Sequence, residues 1–298
     1  AATLTATDEE ESGSVDVTFA KDGSGSCPAW ITLTDGGAND QTAAIAAADS
    51  TTTDARVGDH DCDITISDGV STVADTYTLT ITQINDEPTL SATGVTADFT
   101  EDGSNLALFS GAAAADSDAT VTQTYLSIVI TITNIADTSE YLVIDGSDCL
   151  LASAATCVAD TATNSGAAVV TVSVATSTVT WTADAGGISE AAMETLINAL
   201  AYKNTDQSPT DVADRVATIT TLQDNGGASG DNDDSVTVAL ASTINVVAAN
   251  DTPVCNAGSV QTVTEGAAGV ALDATGSSSA DAEAITYVWS ISAGTTQT

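Results

Sequence analysis

Short runs in which apolar residues alternate with Ser, Thr or Asp recur along this chain: VDVTF at 15–19, YTLTIT at 77–82, LSIVITIT at 126–133, VVTVSV at 169–174 and VATITTL at 216–222. A period of two sends successive side chains to opposite faces, so each run reads as a half-buried β-strand. Clusters of Gly, Asp and Asn separate the runs, which is the punctuation of many short strands folded into sandwiches. Apolar residues fill 43% of the 298 positions, enough for two domains of ordinary size and part of a third to bury a core each. Aromatic residues supply only 4%, so Val, Ile, Leu and Ala are expected to build those cores, with Thr and Ser facing outward.

One segment breaks the strand pattern. Between Ile188 and Lys203 the apolar residues Ala192, Met193, Leu196, Ile197 and Leu200 recur at spacings of three and four, and Ser189 stands where an N-cap belongs. The spacing predicts one amphipathic helix over 188–203, covering an open end of a sandwich. Two strand-like runs end in related tetrapeptides, Asn85-Asp86-Glu87-Pro88 and Asn250-Asp251-Thr252-Pro253. These mark expected domains at 1–88, 89–252 and 253–298.

Four Lys and Arg face 42 Asp and Glu, a formal net charge of -38. Such a chain repels the phosphate backbone, so nucleic acid is excluded as a partner. The carboxylates also repel one another in the compact state unless something cationic offsets them, and bound Ca²⁺ or a salty medium would do so. The two causes can coexist. Cys27, Cys62, Cys149, Cys157 and Cys255 show no CxxC spacing, so disulfides are expected, Cys27 with Cys62 and Cys149 with Cys157. Cys255 is left over, its partner expected outside this sequence or on a neighbouring subunit. No apolar run is long enough for a membrane span.

The series Cys27-Pro28-Ala29-Trp30-Ile31, Val57-Gly58-Asp59-His60, Ile66-Ser67-Asp68-Gly69 and Asn85-Asp86 resembles the dystroglycan-type cadherin-like repeat. Residues 89–253 resemble a longer repeat of giant bacterial adhesins, through Phe99-Thr100-Glu101-Asp102-Gly103, Leu200-Ala201-Tyr202-Lys203-Asn204-Thr205 and Leu222-Gln223-Asp224-Asn225-Gly226-Gly227. Residues 253–298 resemble the first half of a PKD- or REJ-like Ig module, through Asn256-Ala257-Gly258, Thr264-Glu265-Gly266, Leu272-Asp273 and Thr286-Tyr287-Val288-Trp289. The resemblance implies an all-β fold of tandem Ig-like and cadherin-like β-sandwich domains with one short helix in the second. It also implies a first domain lacking its first strand and a partial third module. Either the parent chain continues, or the halves complete each other between subunits by strand addition.

Calcium needs six to eight oxygens at once, and a domain junction can supply them from separate loops. Cadherin-type junctions do this with an NDxP linker, a DxD-like loop and a later Asp from the following domain, and a Glu from the preceding one. Carried over, the first junction would use Asn85, Asp86, Asp116, Asp118 and Asp224. The second would use Glu101, Asn250, Asp251, Asp281 and Glu283. Asp8, Glu10 and Asp68 would form half of another junction at the amino end. Against this stands the ordinary use of Asn, Asp and Gly in β-turns.

The acidic loop at 224–235 lacks the EF-hand's Gly at position six and Glu at twelve, and reads as a solvated hairpin loop. Asn250-Asp251-Thr252 is a formal glycosylation sequon, but the following Pro and the metal role argue against its use. The single His60 lies between Asp59 and Asp61 with no GxSxG nucleophile motif, so it reads as an exposed residue at the start of a strand and the chain as non-enzymatic. Carboxylate pairs for glycoside hydrolysis carry no specificity among 42 acidic groups. Trp30, Trp181 and Trp289 read as core anchors of three separate domains.

The expectation is a calcium-stiffened extracellular spacer or adhesive segment of a large microbial surface protein. Its partners would be neighbouring domains or subunits of the same protein, a homopolymer included, and a cell-surface or glycan ligand. The alternative is a structural subunit of an extracellular filament, sheath or surface layer, polymerised by completion of terminal half domains.

Overall fold

The computed structural model describes residues 2–6, 17–23, 26–37, 41–47, 56–83, 85–116, 118, 123–158, 166–226, 234–264, 266–281 and 283–290. The described residues divide into two compact units, one holding those up to Asp86 together with Asp118, the other holding the rest.

The smaller unit contains β1 (Ala2–Thr5), β2 (Thr18–Lys21), β3 (Ile31–Asp35), β4 (Thr42–Ala47), β5 (Gly58–Ser67) and β6 (Thr72–Ile81). They form two antiparallel three-stranded sheets, ordered β1-β4-β3 and β2-β5-β6. Alternate residues of these strands meet in the interior: Ile31 and Ile45 from one sheet, Cys62 and Ile64 from the other. Cys62 is bonded to Cys27, which ties the loop before β3 to β5. His60 lies inside β5 and is half-buried, its ring edge-on to Trp30 at 4.9 Å. Trp30 itself is partly buried at the margin of this core.

The larger unit begins with β7 (Thr89–Gly94), β8 (Thr96–Thr100), β9 (Leu106–Ala107), β10 (Phe109–Ala115) and β11 (Tyr125–Thr133). It continues with β12 (Glu140–Ile144), β13 (Ser147–Leu150), β14 (Ala155–Val158), β15 (Gly166–Ser173) and β16 (Thr176–Ala183). Then come α1 (Glu190–Asn198), β17 (Ala201–Asn204), β18 (Arg215–Asp224) and β19 (Ser235–Val247). A seven-stranded sheet runs β14-β15-β16-β11-β18-β19-β8, a four-stranded sheet runs β13-β12-β17-β9, and β10 pairs with β7. Ile128, Ile130 and Ile132 of β11 pack with Leu142 and Ile144 of β12 and with Tyr202 of β17 in one core, so the two larger sheets form a sandwich. The second disulfide joins Cys149 of β13 to Cys157 of β14, one strand from each sheet. Where β7 leaves for β8, Gly94 lies so close to β19 that a Cβ would stand 2.0 Å from the Ala241 carbonyl oxygen.

The helix is shorter than its periodicity predicts. Ser189 caps it, accepting a hydrogen bond from Ala192 N at 3.3 Å, and Met193, Leu196 and Ile197 are buried. The apolar spacing continues to Leu200, but the chain leaves the helix after Asn198, because Ala201–Asn204 pair with β12 and β9 as a strand. Leu200 is buried as a connector whose carbonyl accepts from Leu108 N at 2.9 Å. Sheet pairing of four residues thus overrides one more helical turn. α1 packs on β10.

Beyond Pro253 the described residues form one isolated bridge, Val254 with Ser278, and no named strand. Trp289 is 45% exposed, unlike Trp181 at 0%, so its expected anchoring role is not met among the described residues. Val254, Ile285, Tyr287 and Trp289, with Ser277 and Glu283, line a cleft of mixed polarity of about 500 Å³, beside the free and exposed Cys255. No helix among the described residues is long and apolar enough to cross a membrane.

Candidate metal centre

The parallel pair β8 and β19 brings two distant stretches of sequence to one point. Glu101 comes directly after β8, and its backbone N–H extends the ladder to Val247 O at 2.9 Å. The chain turns at once: Gly103 N donates to Thr100 O at 2.9 Å and Asp102 adopts a positive φ of 57°. This turn leaves the Glu101 side chain facing the segment that leaves β19. Its Oε2 accepts from Ala249 N at 2.8 Å. Two residues on, Asp251 N donates to Asp281 Oδ2 at 2.6 Å, and Asn250 Nδ2 donates to Asp251 O at 3.1 Å.

Glu101, Asp251 and Asp281 therefore converge, with one oxygen from each lying within 4.8 Å of the others. Among the described residues this is the one acidic group so close. Oxygens bound to a common calcium ion at 2.3–2.6 Å lie at most about 5.2 Å apart, so the spacing fits one ion. The donor set is oxygen throughout, which suits a hard cation and not zinc or copper. Glu101 is 4% exposed. Its Oε1 and Asp251 Oδ2 are buried without a hydrogen-bond partner, a costly arrangement for carboxylates that a coordinated cation would relieve. Burial pushes the Glu101 carboxyl above its usual range; the Ala249 N–H opposes this, and the charges of Asp251, Asp281 and Asp102 add to it.

A raised folded-state pKa has a definite sign. Between the unfolded value and the raised folded value, the folded chain holds the extra proton, so stability without calcium falls as pH rises through that interval. In thermal melts under chelation, acidifying from neutral pH should raise the melting temperature through this group, and Glu101→Gln should flatten that rise. An unchanged profile would mean that Glu101 is not the strained group.

The ligands expected from the sequence do not all gather at this point. Glu101, Asp251 and Asp281 meet, and Asn250 braces the turn beside them. Glu283 lies outside this group: it is exposed and lines the cleft beside Cys255. In the smaller unit, Asp86 N donates to Asp118 Oδ1 at 3.2 Å, Gln83 Nε2 donates to the same oxygen at 2.6 Å, and Asn85 Nδ2 donates to Asp86 O at 3.1 Å. The Asn-Asp turn and its carboxylate acceptor thus repeat the pattern seen at Asn250, Asp251 and Asp281. Asp116 and Asp224 belong to the larger unit; Asp224 is fully buried and accepts from Gly226 N at 2.8 Å. Asp68 serves the β5–β6 turn, where its Oδ1 accepts from Ser71 N at 2.6 Å and Val70 N at 2.8 Å, bonds that hold its carboxyl below the usual range. Asp8 and Glu10 lie outside the described residues.

No protein-family model matches the chain, and no curated protein matches it. Among solved structures it is similar to the extracellular cadherin domains 3–6 of protocadherin gamma B2, at 10% identity over 83% of this chain and 44% of that one, TM-score 0.35. It is also similar to cadherin-like domains 1 to 4 of zebrafish RET, at 10% identity over 78% of this chain and 41% of that one, TM-score 0.28. A third is an endo-fucoidan hydrolase of glycoside hydrolase family 107, at 18% identity over 80% of this chain and 24% of that one, TM-score 0.22. The chain spans less than half the length of each of these structures.

Proposed function

We propose that this chain is a segment of a large extracellular microbial protein in which sandwich domains are strung in series, acting as a calcium-stiffened spacer or adhesive element. The observation that carries the reading is the Glu101, Asp251 and Asp281 group, with two buried carboxylate oxygens left for an ion. Glu101 stands at the end of β8, whereas Asp251 and Asp281 lie beyond β19, so a bound ion would cross-link the sandwich to the segment after β19. The disulfides Cys27–Cys62 and Cys149–Cys157 support an oxidising, extracellular setting. The net charge of -38 supports a calcium-rich or salty one.

The test is small-angle scattering of the whole chain with calcium and with chelator. Calcium should narrow the spread of conformations and fix the maximum dimension, and Asp251→Asn/Asp281→Asn should abolish the difference. Identical scattering in both conditions would overturn the stiffening role.

The exposed Cys255 and the exposed Tyr287, Val288 and Trp289 favour a second reading, a filament, sheath or surface-layer subunit completed by another copy. Sedimentation would then show assembly that rises with concentration; a monomer at all concentrations would dismiss it.

A further inference from the structure

The seven-stranded sheet turns one face to the core and the other to solvent. On β11, Ile128, Ile130 and Ile132 point inward, so Val129, Thr131 and Thr133 point outward. Strand register carries each of these outward positions across β15, β16, β11, β18 and β19. The middle row reads Thr171, Thr178, Thr131, Thr218 and Ala241. The flanking rows, through Val129 and through Thr133, hold only Val, Thr and Ser. No position in the three rows is charged, and none is buried, so no other described element covers them.

Contact with water alone does not require a neutral face, and elsewhere this chain does not keep one. Asp59, Asp61 and Asp63 fill outward positions of β5, each accepting from a threonine hydroxyl of β6 at 2.7 Å. On the neutral face the hydroxyls turn back to their own sheet. Thr171 Oγ1 donates to Thr178 O at 3.4 Å, Ser173 Oγ to Thr176 O at 3.4 Å and Thr220 Oγ1 to Val129 O at 3.2 Å. Donors already paired cost little to take out of water. At the rim, Val169 is 43% exposed and Val174, in the β15–β16 turn, 97%.

We propose that this face is a self-association surface, on which a second copy of the chain lays the same face. Two molecules of net charge -38 repel most where carboxylates meet carboxylates, and a neutral face removes that local penalty. Strands about 4.8 Å apart, with outward residues about 6.8 Å apart along each, make the three rows about 500 Å² in each copy. Paired, they bury about 1,000 Å², at the small end of specific interfaces, so the dimer is weak and forms where copies crowd side by side. The same patch on both partners closes a two-fold dimer and does not propagate a fibre. The contact uses no ion at the Glu101 centre and no part of residues 253–298, so it stands apart from both readings of function above.

Sedimentation equilibrium of the whole chain, at concentrations up to about 1 mM, tests it. A monomer–dimer equilibrium is expected, tightening as NaCl rises from about 0.01 to 0.15 M and screens the net charge. Thr131→Glu, at the centre of the middle row, should weaken the dimer about tenfold or more, because like charges then meet across it. Thr131→Val should dimerise at least as well as the native chain. If Thr131→Glu melts early, Thr171→Glu decides in the same way, because Thr171 is exposed. A monomer throughout, or equal dimers in the native and glutamate variants, overturns the proposal. Oligomers that grow beyond two also overturn it, and growth abolished by Cys255→Ser would favour the filament reading instead.

Discussion

Arg215→Ala should destabilise the larger unit by about 3–5 kcal/mol in chemical unfolding, the cost of stranding buried charge. Arg215 is fully buried, as is Glu140, and Asp137 is nearly so. Its Nη2 donates to Glu140 Oε1 at 2.9 Å and to Asp137 Oδ2 at 3.2 Å, its Nε to Glu140 Oε2 at 3.2 Å, and its Nη1 to Ala213 O at 2.8 Å. Around them Tyr202 Oη donates to Glu140 Oε2 at 2.9 Å, and Asn204 Nδ2 donates to Asp137 Oδ2 at 2.9 Å. Every charged end is satisfied, so the network specifies how β12, β17 and β18 meet. Removing the cation leaves two carboxylates in the interior facing each other. A loss below about 1 kcal/mol would place Arg215 among ordinary surface pairs and contradict the burial.

Trp181→Ala should cost a similar amount, about 3–5 kcal/mol, through the cavity it opens. Trp181 is fully buried in β16, and Gly166 gives it room: a Cβ at position 166 would lie 2.7 Å from Trp181 Cζ2. The indole Nε1 is buried with no hydrogen-bond partner, so Trp181→Phe removes an unsatisfied donor along with some volume. It should therefore cost much less than alanine, under about 1.5 kcal/mol. Equal losses for Phe and Ala would mean that ring volume is not what holds the two sheets together. Denaturant midpoints for both variants check this.

Much of this architecture was legible in local pattern. The alternation in 126–133, 169–174 and 216–222 became β11, β15 and β18, because period-two burial needs only neighbouring residues to be read. Ser189 capped the helix where expected for the same reason. Both expected disulfides are present. What the local pattern missed depends on partners far along the chain. Apolar spacing through Leu200 predicted a longer helix, but Tyr202 is claimed by pairing with Leu142. Arg215 and Glu140 stand 75 residues apart, and no spacing rule joins them; the signal was one of only four cations placed in a strand-like run.

The candidate site divides along the same line. Glu101, Asp251 and Asp281 were named from short motifs, and the parallel pairing of β8 with β19 brings the first close to the other two. Glu283 was named with Asp281 as the DxD-like loop of the resembled junction; it is exposed and lines the cleft beside Cys255.

The stiffening role rests on calcium binding at the Glu101 centre. The most direct measurement is the thermal shift of the whole chain on adding calcium after exhaustive chelation, for the native sequence and for Asp251→Asn/Asp281→Asn. A ligand held only by the folded state, present at about a hundred times its dissociation constant, stabilises by about 2.7 kcal/mol. The native chain should show an upward shift of that order, and the variant should lose most of it while melting higher than the native chain under chelation, since it is relieved of two clustered charges. Equal shifts in both proteins, or none in either, would contradict the centre and leave the acidic surface as an adaptation to salt.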